Sequence, residues 1–66
     1  MTGKELKESL LDGREVSHNG IIYNKVNAIV YRNIGGQIKV SAELLDKNNS
    51  CVVIASAEKI SEVKHD

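Results

Sequence analysis

The chain has 66 residues, and its nine basic and nine acidic side chains leave it with no net charge. This length predicts one domain over 1–66, and the balanced charge disfavours a nucleic-acid-binding module, which usually carries a basic excess or stripe. The single cysteine excludes an internal disulfide and a cysteine-based zinc site, as is typical of a reducing cytoplasm. No apolar run approaches the length of a membrane helix, which needs about 18 residues. We also expect no signal peptide.

The apolar residues favour strands over helices. The chain has seven Ile, seven Val and five Leu, no Phe or Trp, and only two aromatic residues, Tyr23 and Tyr31. Side chains that branch at Cβ fit the pleated surface of a sheet. A domain this short buries only about 60% of its unfolded surface, so dimerisation or a partner is one way to add burial.

Residues 2–12 are predicted to form a helix. Thr2 is placed to cap it and Glu5 completes a capping box, while Gly13 is a typical helix stop. Its predicted apolar face consists of Leu6, Leu10 and Leu11. Since a helix of this length is marginal alone in water, we expect it to pack on the rest of the domain.

The region 14–63 is predicted to be β-structure. Five segments have strand patterns, at 14–18, 21–32, 37–46, 51–55 and 60–63, and 56–59 suits one helical turn. Turns are predicted at Asn19-Gly20, at Gly35-Gly36 and at 46–49. Four strands, a helical turn and a fifth strand predict a mainly β (α+β) domain, in which the N-terminal helix packs on a small five-stranded antiparallel SH3-like barrel or sheet.

Alternation along the strands predicts which side chains are buried. Ile21 and Tyr23 share one parity, whereas the apolar positions 26, 28 and 30 share the other, which predicts a bulge or bend near Asn24-Lys25 or a segment covered on both faces. The third segment alternates cleanly, with Ile38, Val40, Ala42 and Leu44 expected inside and Lys39, Ser41 and Glu43 outside. The apolar segment 51–55 predicts a central strand covered on both faces.

No pattern indicates a catalytic, cofactor or metal site, so we expect a non-enzymatic protein without cofactors. Cys51 opens an apolar strand and is expected to be a small buried hydrophobe. His18 is expected to be a solvated turn histidine, since no second ligand lies at metal-binding spacing. Glu43 and Asp46 differ in strand parity, and Asp46 is expected to open a turn by accepting from nearby backbone. Gly35-Gly36 lacks the Lys-Ser/Thr of a phosphate loop.

One group of residues is a candidate interaction surface. Tyr23, Lys25 and Tyr31 share odd parity on the second segment, and Arg32 ends it. Tyrosine beside Lys and Arg is typical of protein-binding surfaces and also suits the stacking of single-stranded bases. The opposing interpretation is that both tyrosines complete a core that is poor in aromatic residues.

Four stretches of the chain resemble small uncharacterised proteins carried by phages and prophages of Bacillus and related Gram-positive bacteria. They are Met-Thr-Gly-Lys-Glu-Leu at 1–6, Asp-Gly-Arg-Glu-Val at 12–16, Tyr-Asn-Lys-Val-Asn-Ala-Ile-Val-Tyr-Arg at 23–32 and Ala-Glu-Leu-Leu-Asp-Lys-Asn at 42–48. The resemblance implies a phage-encoded accessory protein of the host cytoplasm and supplies no catalytic residues.

Three functions follow as hypotheses. The first is a protein-interaction module that acts on a host or phage protein, with homo-oligomerisation as a further option. The second is a minor virion component, structural or for assembly and associated with the tail. The third is a nucleic-acid-binding SH3-like module that uses Tyr23, Lys25, Tyr31 and Arg32, which the balanced charge disfavours.

Overall fold

A computed structural model describes residues 1–63, which form one N-terminal helix and six strands. In chain order the elements are α1 Gly3–Asp12, β1 Val16–His18, β2 Ile21–Tyr23, β3 Lys25–Ile34, β4 Gln37–Leu45, β5 Val52–Ser56, one turn of 3-10 helix at Ala57–Lys59, and β6 Ile60–Glu62. The mainly β class with an N-terminal helix is confirmed. The tail at 64–66, which the sequence predicts to fray, lies outside the described residues.

The predicted caps of α1 are both present. The Thr2 hydroxyl accepts from the backbone N–H of Glu5 at 3.2 Å, and the Glu5 carboxylate accepts from the backbone N–H of Thr2 at 2.9 Å. Gly13 ends the helix in the left-handed conformation, with φ 66°, and its N–H donates to the Ser9 carbonyl. These bonds satisfy donors and acceptors that the helix termini would otherwise leave unpaired.

The buried face of α1 differs from the predicted one. Leu6 and Ser9 are buried and Leu10 is half-buried, while Leu11 is 74% exposed. Leu11 was expected to pack, but it lies about 140° round the helix from Leu6, outside the stripe that packs on β3. The Ser9 hydroxyl has no hydrogen-bond partner among the described residues. A serine at a core position is not visible in a pattern of apolar residues.

Hydrogen bonding divides the strands between two antiparallel sheets, in the orders β2-β1-β6 and β3-β4-β5, rather than one closed barrel. The predicted second segment is divided at Asn24, so that β2 belongs to one sheet and β3 to the other. The Asn24 N–H donates to the Leu45 carbonyl at 2.8 Å, which holds the chain at this bend. The bend near Asn24-Lys25 is therefore confirmed.

A bulge at Asn27 changes which side chains of β3 face the core. Val26 pairs with Leu44 and Ala28 pairs with Glu43, so Asn27 is an extra residue without a directly opposite partner. Directly paired residues share a face, so Val26 faces inward with Leu44 and Ala28 faces outward with Glu43. The prediction that positions 26, 28 and 30 share one face was wrong because the bulge reverses the alternation.

Both sheets and α1 contribute to one core. Its buried apolar members are Leu6, Val16, Tyr23, Val26, Ala42, Leu44, Ala55, Ala57 and Ile60. The alternation predicted for β4 holds in the half of the strand that carries Ala42 and Leu44. Ile38, expected inside, is 61% exposed because the β3–β4 hairpin extends beyond the core.

Strand β5 is an edge strand and not the predicted central one. Among residues 1–63 it pairs only with β4, and Val52 and Ile54 are 49% and 58% exposed. The core covers one face of the β3-β4-β5 sheet, with Ala55 buried against it, and leaves the other face open. An apolar run therefore did not indicate a strand that is covered on both faces.

We expect the change Thr2→Ala to lower the free energy of unfolding by about 0.5–2 kcal/mol, because it removes the hydroxyl that accepts from the first helical turn. Thr2→Ser keeps an acceptor and serves as the control. Urea unfolding followed by circular dichroism measures the difference, and equal midpoints for all three proteins would show that this cap contributes nothing.

Candidate interaction surface

The four residues of the predicted surface are not brought together. Tyr23 lies in β2 and is only 7% exposed, so it belongs to the core, while Tyr31 is 60% exposed. Because Asn27 reverses the alternation, Lys25 and Arg32 face away from the core and Tyr31 faces the side that carries α1. A Cβ on Gly3 of α1 would lie 3.5 Å from the Tyr31 hydroxyl. The grouping by odd parity was wrong for this reason.

The side of the β3-β4-β5 sheet that faces away from the core is here called the outer face. Its side chains form rows across the strands, because paired residues lie on the same side. The rows are Lys25–Leu45–Val52, Ala28–Glu43–Ile54, Val30–Ser41–Ser56, Arg32–Lys39 and Ile34–Gln37. Two of the four predicted residues, Lys25 and Arg32, therefore lie on this face.

The part of the outer face on and beside the edge strand β5 is an apolar patch. Val52 and Ile54 are its exposed members, and the neighbouring Ala28, Val30 and Leu45 are half-buried. Ile34, also exposed, lies on the same face at the end of β3. Scattered surface hydrophobes are ordinary, but adjoining ones on one sheet face form a patch of the kind that binds partners. Sequence analysis missed Val52 and Ile54 because an apolar run is the same for a buried strand and for one with an open face.

The charges bordering this patch are mainly positive. Arg32 stands directly opposite Lys39, and neither forms an ion pair within residues 1–63. The ion pairs of the structure lie elsewhere, between Arg14 and both Asp12 and Glu62, and between Lys47 and Glu15. Like charges that face each other across strands are destabilising, so an anionic group from a partner would relieve this pair.

The one acidic side chain of the outer face is held by a neighbour. Glu43 is half-buried, and its carboxylate accepts from the Asn27 side-chain amide at 3.3 Å. The bulge thus places an amide donor beside this carboxylate. The outer face therefore presents an apolar patch along β5, cations toward both ends of the patch and a single carboxylate that already has a hydrogen-bond donor.

A groove of about 320 Å³ lies between the start of α1, β4 and the 3-10 turn. The Met1 amino group closes one side of it by donating to the carbonyls of Ala57 at 2.6 Å and Ile60 at 2.7 Å. Lys39 and Glu58 are the charged residues of its lining. These contacts join the start of the helix to the 3-10 turn and the start of β6.

The two single residues that could carry chemistry, His18 and Cys51, have defined surroundings in the structure. His18 is half-buried, and its Nδ1 lies 3.2 Å from the Lys59 carbonyl oxygen. Cys51 is exposed, which corrects the expectation of a buried thiol, because β5 begins one residue later. Within residues 1–63 no group of three or more His, Cys, Asp or Glu side chains could hold a metal ion.

Asp46 organises the turn between β4 and β5, as predicted. Its Oδ1 accepts from the backbone N–H of Ser50 at 2.8 Å and of Cys51 at 3.3 Å, and its Oδ2 accepts from the Ser50 hydroxyl at 3.1 Å. The backbone hydrogen bond from Ser50 is the largest cause that holds the pKa of Asp46 below its usual value. Asp46 is thus a structural carboxylate that fixes where β5 starts.

Comparison with models of protein families, with curated protein sequences and with solved structures finds no match for this chain. In the part of the chain that the structure describes, no helix has the length and apolar character needed to cross a membrane.

Replacing the two tyrosines separately tests their different positions. We expect Tyr23→Ala to cost about 3–5 kcal/mol of stability, because it opens a cavity in the core, and Tyr31→Ala to cost far less. Thermal melts followed by circular dichroism measure both. Equal losses would place the Tyr31 ring in the core as well.

The pH dependence of stability tests the Asp46 turn. Since folding lowers the pKa of this carboxyl, its contribution is present above the unfolded value of about 3.9 and is lost as pH falls through the folded pKa. Asp46→Asn should therefore be less stable than the natural protein at neutral pH, and the gap should close in acid. Urea unfolding from about pH 7 to about pH 2 measures the gap.

The control for this experiment is Glu8→Gln, which removes an exposed carboxylate of α1 outside the turn. A gap that stays constant across the pH range for Asp46→Asn would show that the charge of Asp46 does not stabilise the turn.

Proposed function

We propose that the chain is a small non-enzymatic protein-interaction module that binds its partner through the outer face. The observation that carries the proposal is the open, apolar patch of that face along β5, where Val52 and Ile54 are 49% and 58% exposed. Burial of apolar surface contributes about 25 cal/mol per Å². Both side chains branch at Cβ and stand on a paired strand, so ordering them on binding costs little rotamer entropy.

The charges indicate the chemistry of the partner. Arg32 and Lys39 face each other, neither forms an ion pair within residues 1–63, and Lys25 borders the other end of the patch. A complementary partner surface is apolar where it meets the apolar patch and carries Asp or Glu side chains where it meets the cations. We therefore commit to a protein partner with an acidic rim.

The nucleic-acid alternative has weaker support. It needs an exposed aromatic ring and cations on one surface, so that bases stack while phosphates bind. Tyr23 is buried, and Tyr31 lies on the side of the sheet opposite to Lys25 and Arg32. The side chains of the apolar patch also have no charge and no hydrogen-bond donor that could bind a phosphate group. A protein partner suits this combination better.

The architecture is proposed to be an open SH3-like barrel, whose two halves are the β2-β1-β6 and β3-β4-β5 sheets. Three features support this: the continuous chain through the bend at Asn24, the shared core, and the 3-10 turn before the last strand. The resemblance to phage proteins supports an accessory role toward a host or virion protein. Detection of the protein in purified virions would favour the virion-component hypothesis.

A matched pair of substitutions tests the outer face. Ile54 and Ile38 are exposed to a similar extent, at 58% and 61%, but lie on opposite faces of one sheet. We expect Ile54→Lys to lose partner binding, because it places a charge in the apolar patch, and Ile38→Lys to keep it. Arg32→Glu with Lys39→Glu should weaken binding as well, since it removes charge complementarity.

The measurement has two stages. A protein retained from host extract by the natural chain and by Ile38→Lys, but not by Ile54→Lys, is identified by mass spectrometry, purified and titrated against each variant. We expect a loss of at least about tenfold in affinity for the outer-face variants, with normal thermal melts. Equal affinities, or a loss confined to Ile38→Lys, would contradict the proposal.

A single-stranded oligonucleotide serves as the second probe. An added lysine strengthens binding to a polyanion, whereas it disrupts an apolar protein interface. Oligonucleotide binding that is retained or tightened in Ile54→Lys would therefore replace the proposed function with the nucleic-acid one.

A further inference from the structure

The free edge of β5 has no partner among the described residues. The strand Val52–Ser56 pairs with β4 on one side, and no hydrogen bond joins its other side to residues 1–63. An open edge of this kind is a template for an additional strand. We propose that this edge pairs, in antiparallel orientation, with β5 of a second copy of the chain.

The edge lacks the features that keep other edges from pairing. Residues 48–57 contain no charged residue and no proline, and the β4–β5 register is continuous, without a bulge. Natural proteins protect free edges with lysines, prolines, bulges or very short strands. Of the other edge strands, β3 carries Lys25, Arg32 and a bulge, β6 carries Glu62, and β2 has three residues.

A second copy is the occupant that this composition fits. A two-fold axis centred on Ile54 places Ile54 opposite its copy, and Val52 opposite Ser56 of the second chain. No like charges meet in this register, because neither strand has a charge. The second chain also supplies a strand of equal length and the same high β-propensity.

The pairing enlarges the outer face. An axis perpendicular to the sheet keeps both outer faces on the same side, so two three-stranded sheets become one six-stranded sheet. Val52 and Ile54 of both copies then lie at its centre, with Lys25, Arg32 and Lys39 of each copy toward the borders. This inference rests on the proposed function only in treating the outer face as the binding surface; the edge pairing itself does not require a partner.

The small core gives a reason for self-association. The nine buried apolar side chains include three alanines, and Tyr23 is the only aromatic residue among them. Domains of this size often rely on oligomerisation, since one small core leaves little net stability. Pairing at β5 adds main-chain hydrogen bonds and covers apolar surface that the single chain leaves in water.

Cross-linking tests the geometry. In a Cys51→Ser background, two Ile54→Cys chains would place their Cβ atoms about 4.5–5.5 Å apart, close to disulfide distance. Val52→Cys is the control. In the same register the two Val52 positions lie four residues apart along the strand direction, about 13 Å, which is too far for a disulfide. We expect mild oxidation to link the Ile54→Cys chains and to leave the Val52→Cys chains unlinked. Equal linking of both, or of neither, would overturn the proposal.

Sedimentation equilibrium tests the association itself. We expect the natural chain to approach twice its 7.2 kDa mass as its concentration rises, and Ile54→Lys, which sets two lysines opposite each other, to remain monomeric. Ile38→Lys should behave like the natural chain. A natural chain that stays monomeric, or an Ile54→Lys dimer, would overturn the pairing.

The Arg32→Glu, Lys39→Glu variant separates this inference from the proposed function. Both residues lie away from the β5 edge, so the variant should stay dimeric while it loses the partner. A monomeric natural chain that still binds its partner would overturn the pairing alone. A dimer that binds no partner would leave the pairing in place and overturn the proposed function.

Discussion

The helix and the smaller sheet together cover only one face of the larger sheet, and the rest of the structure depends on this constraint. Helix α1 and the β2-β1-β6 sheet pack on the side of β3-β4-β5 that carries Val26, Ala42 and Leu44. Within residues 1–63, the opposite side receives no second layer. Its apolar residues, above all Val52 and Ile54, remain in contact with water. The missing second layer on this side thus leaves open the apolar surface that is the candidate binding surface.

The extra residue at Asn27 determines which chemistry appears on that surface. Without the bulge, the alternation would continue unchanged along β3, and Arg32 would lie on the side of the core. With it, Arg32 joins Lys39 on the outer face, and Tyr31 turns toward Gly3 of α1. Bulges commonly redirect side chains at functional surfaces. Here one inserted residue separates the aromatic ring from the cations and favours a protein partner over single-stranded nucleic acid.

The open face and the open edge of β5 are adjacent, which relates the two proposals physically. A sheet that exposes both an apolar face and an unprotected edge is prone to association. Pairing two identical edges satisfies the hydrogen bonds of both backbones and leaves neither edge open. The resulting broad, continuous face has its apolar residues at the centre and its cations at the border. That arrangement matches the usual anatomy of an interface, with an apolar centre and a polar rim.

The sequence by itself determined the local features of the chain. The Thr2–Glu5 capping box, the Gly13 stop, the Asn19-Gly20 hairpin turn and the Asp46 turn each depend on bonds or backbone angles within a few residues, and all four were predictable. Only the tertiary structure decided that Tyr23 is core and Tyr31 is not, that Ile38 lies beyond the core, and that β5 is an edge strand. These outcomes depend on which distant elements cover a face, and on one bulged residue that shifts the register. The alternation of apolar and polar residues shows neither the coverage of a face nor the bulge, because a covered apolar face and an open one consist of the same types of side chain.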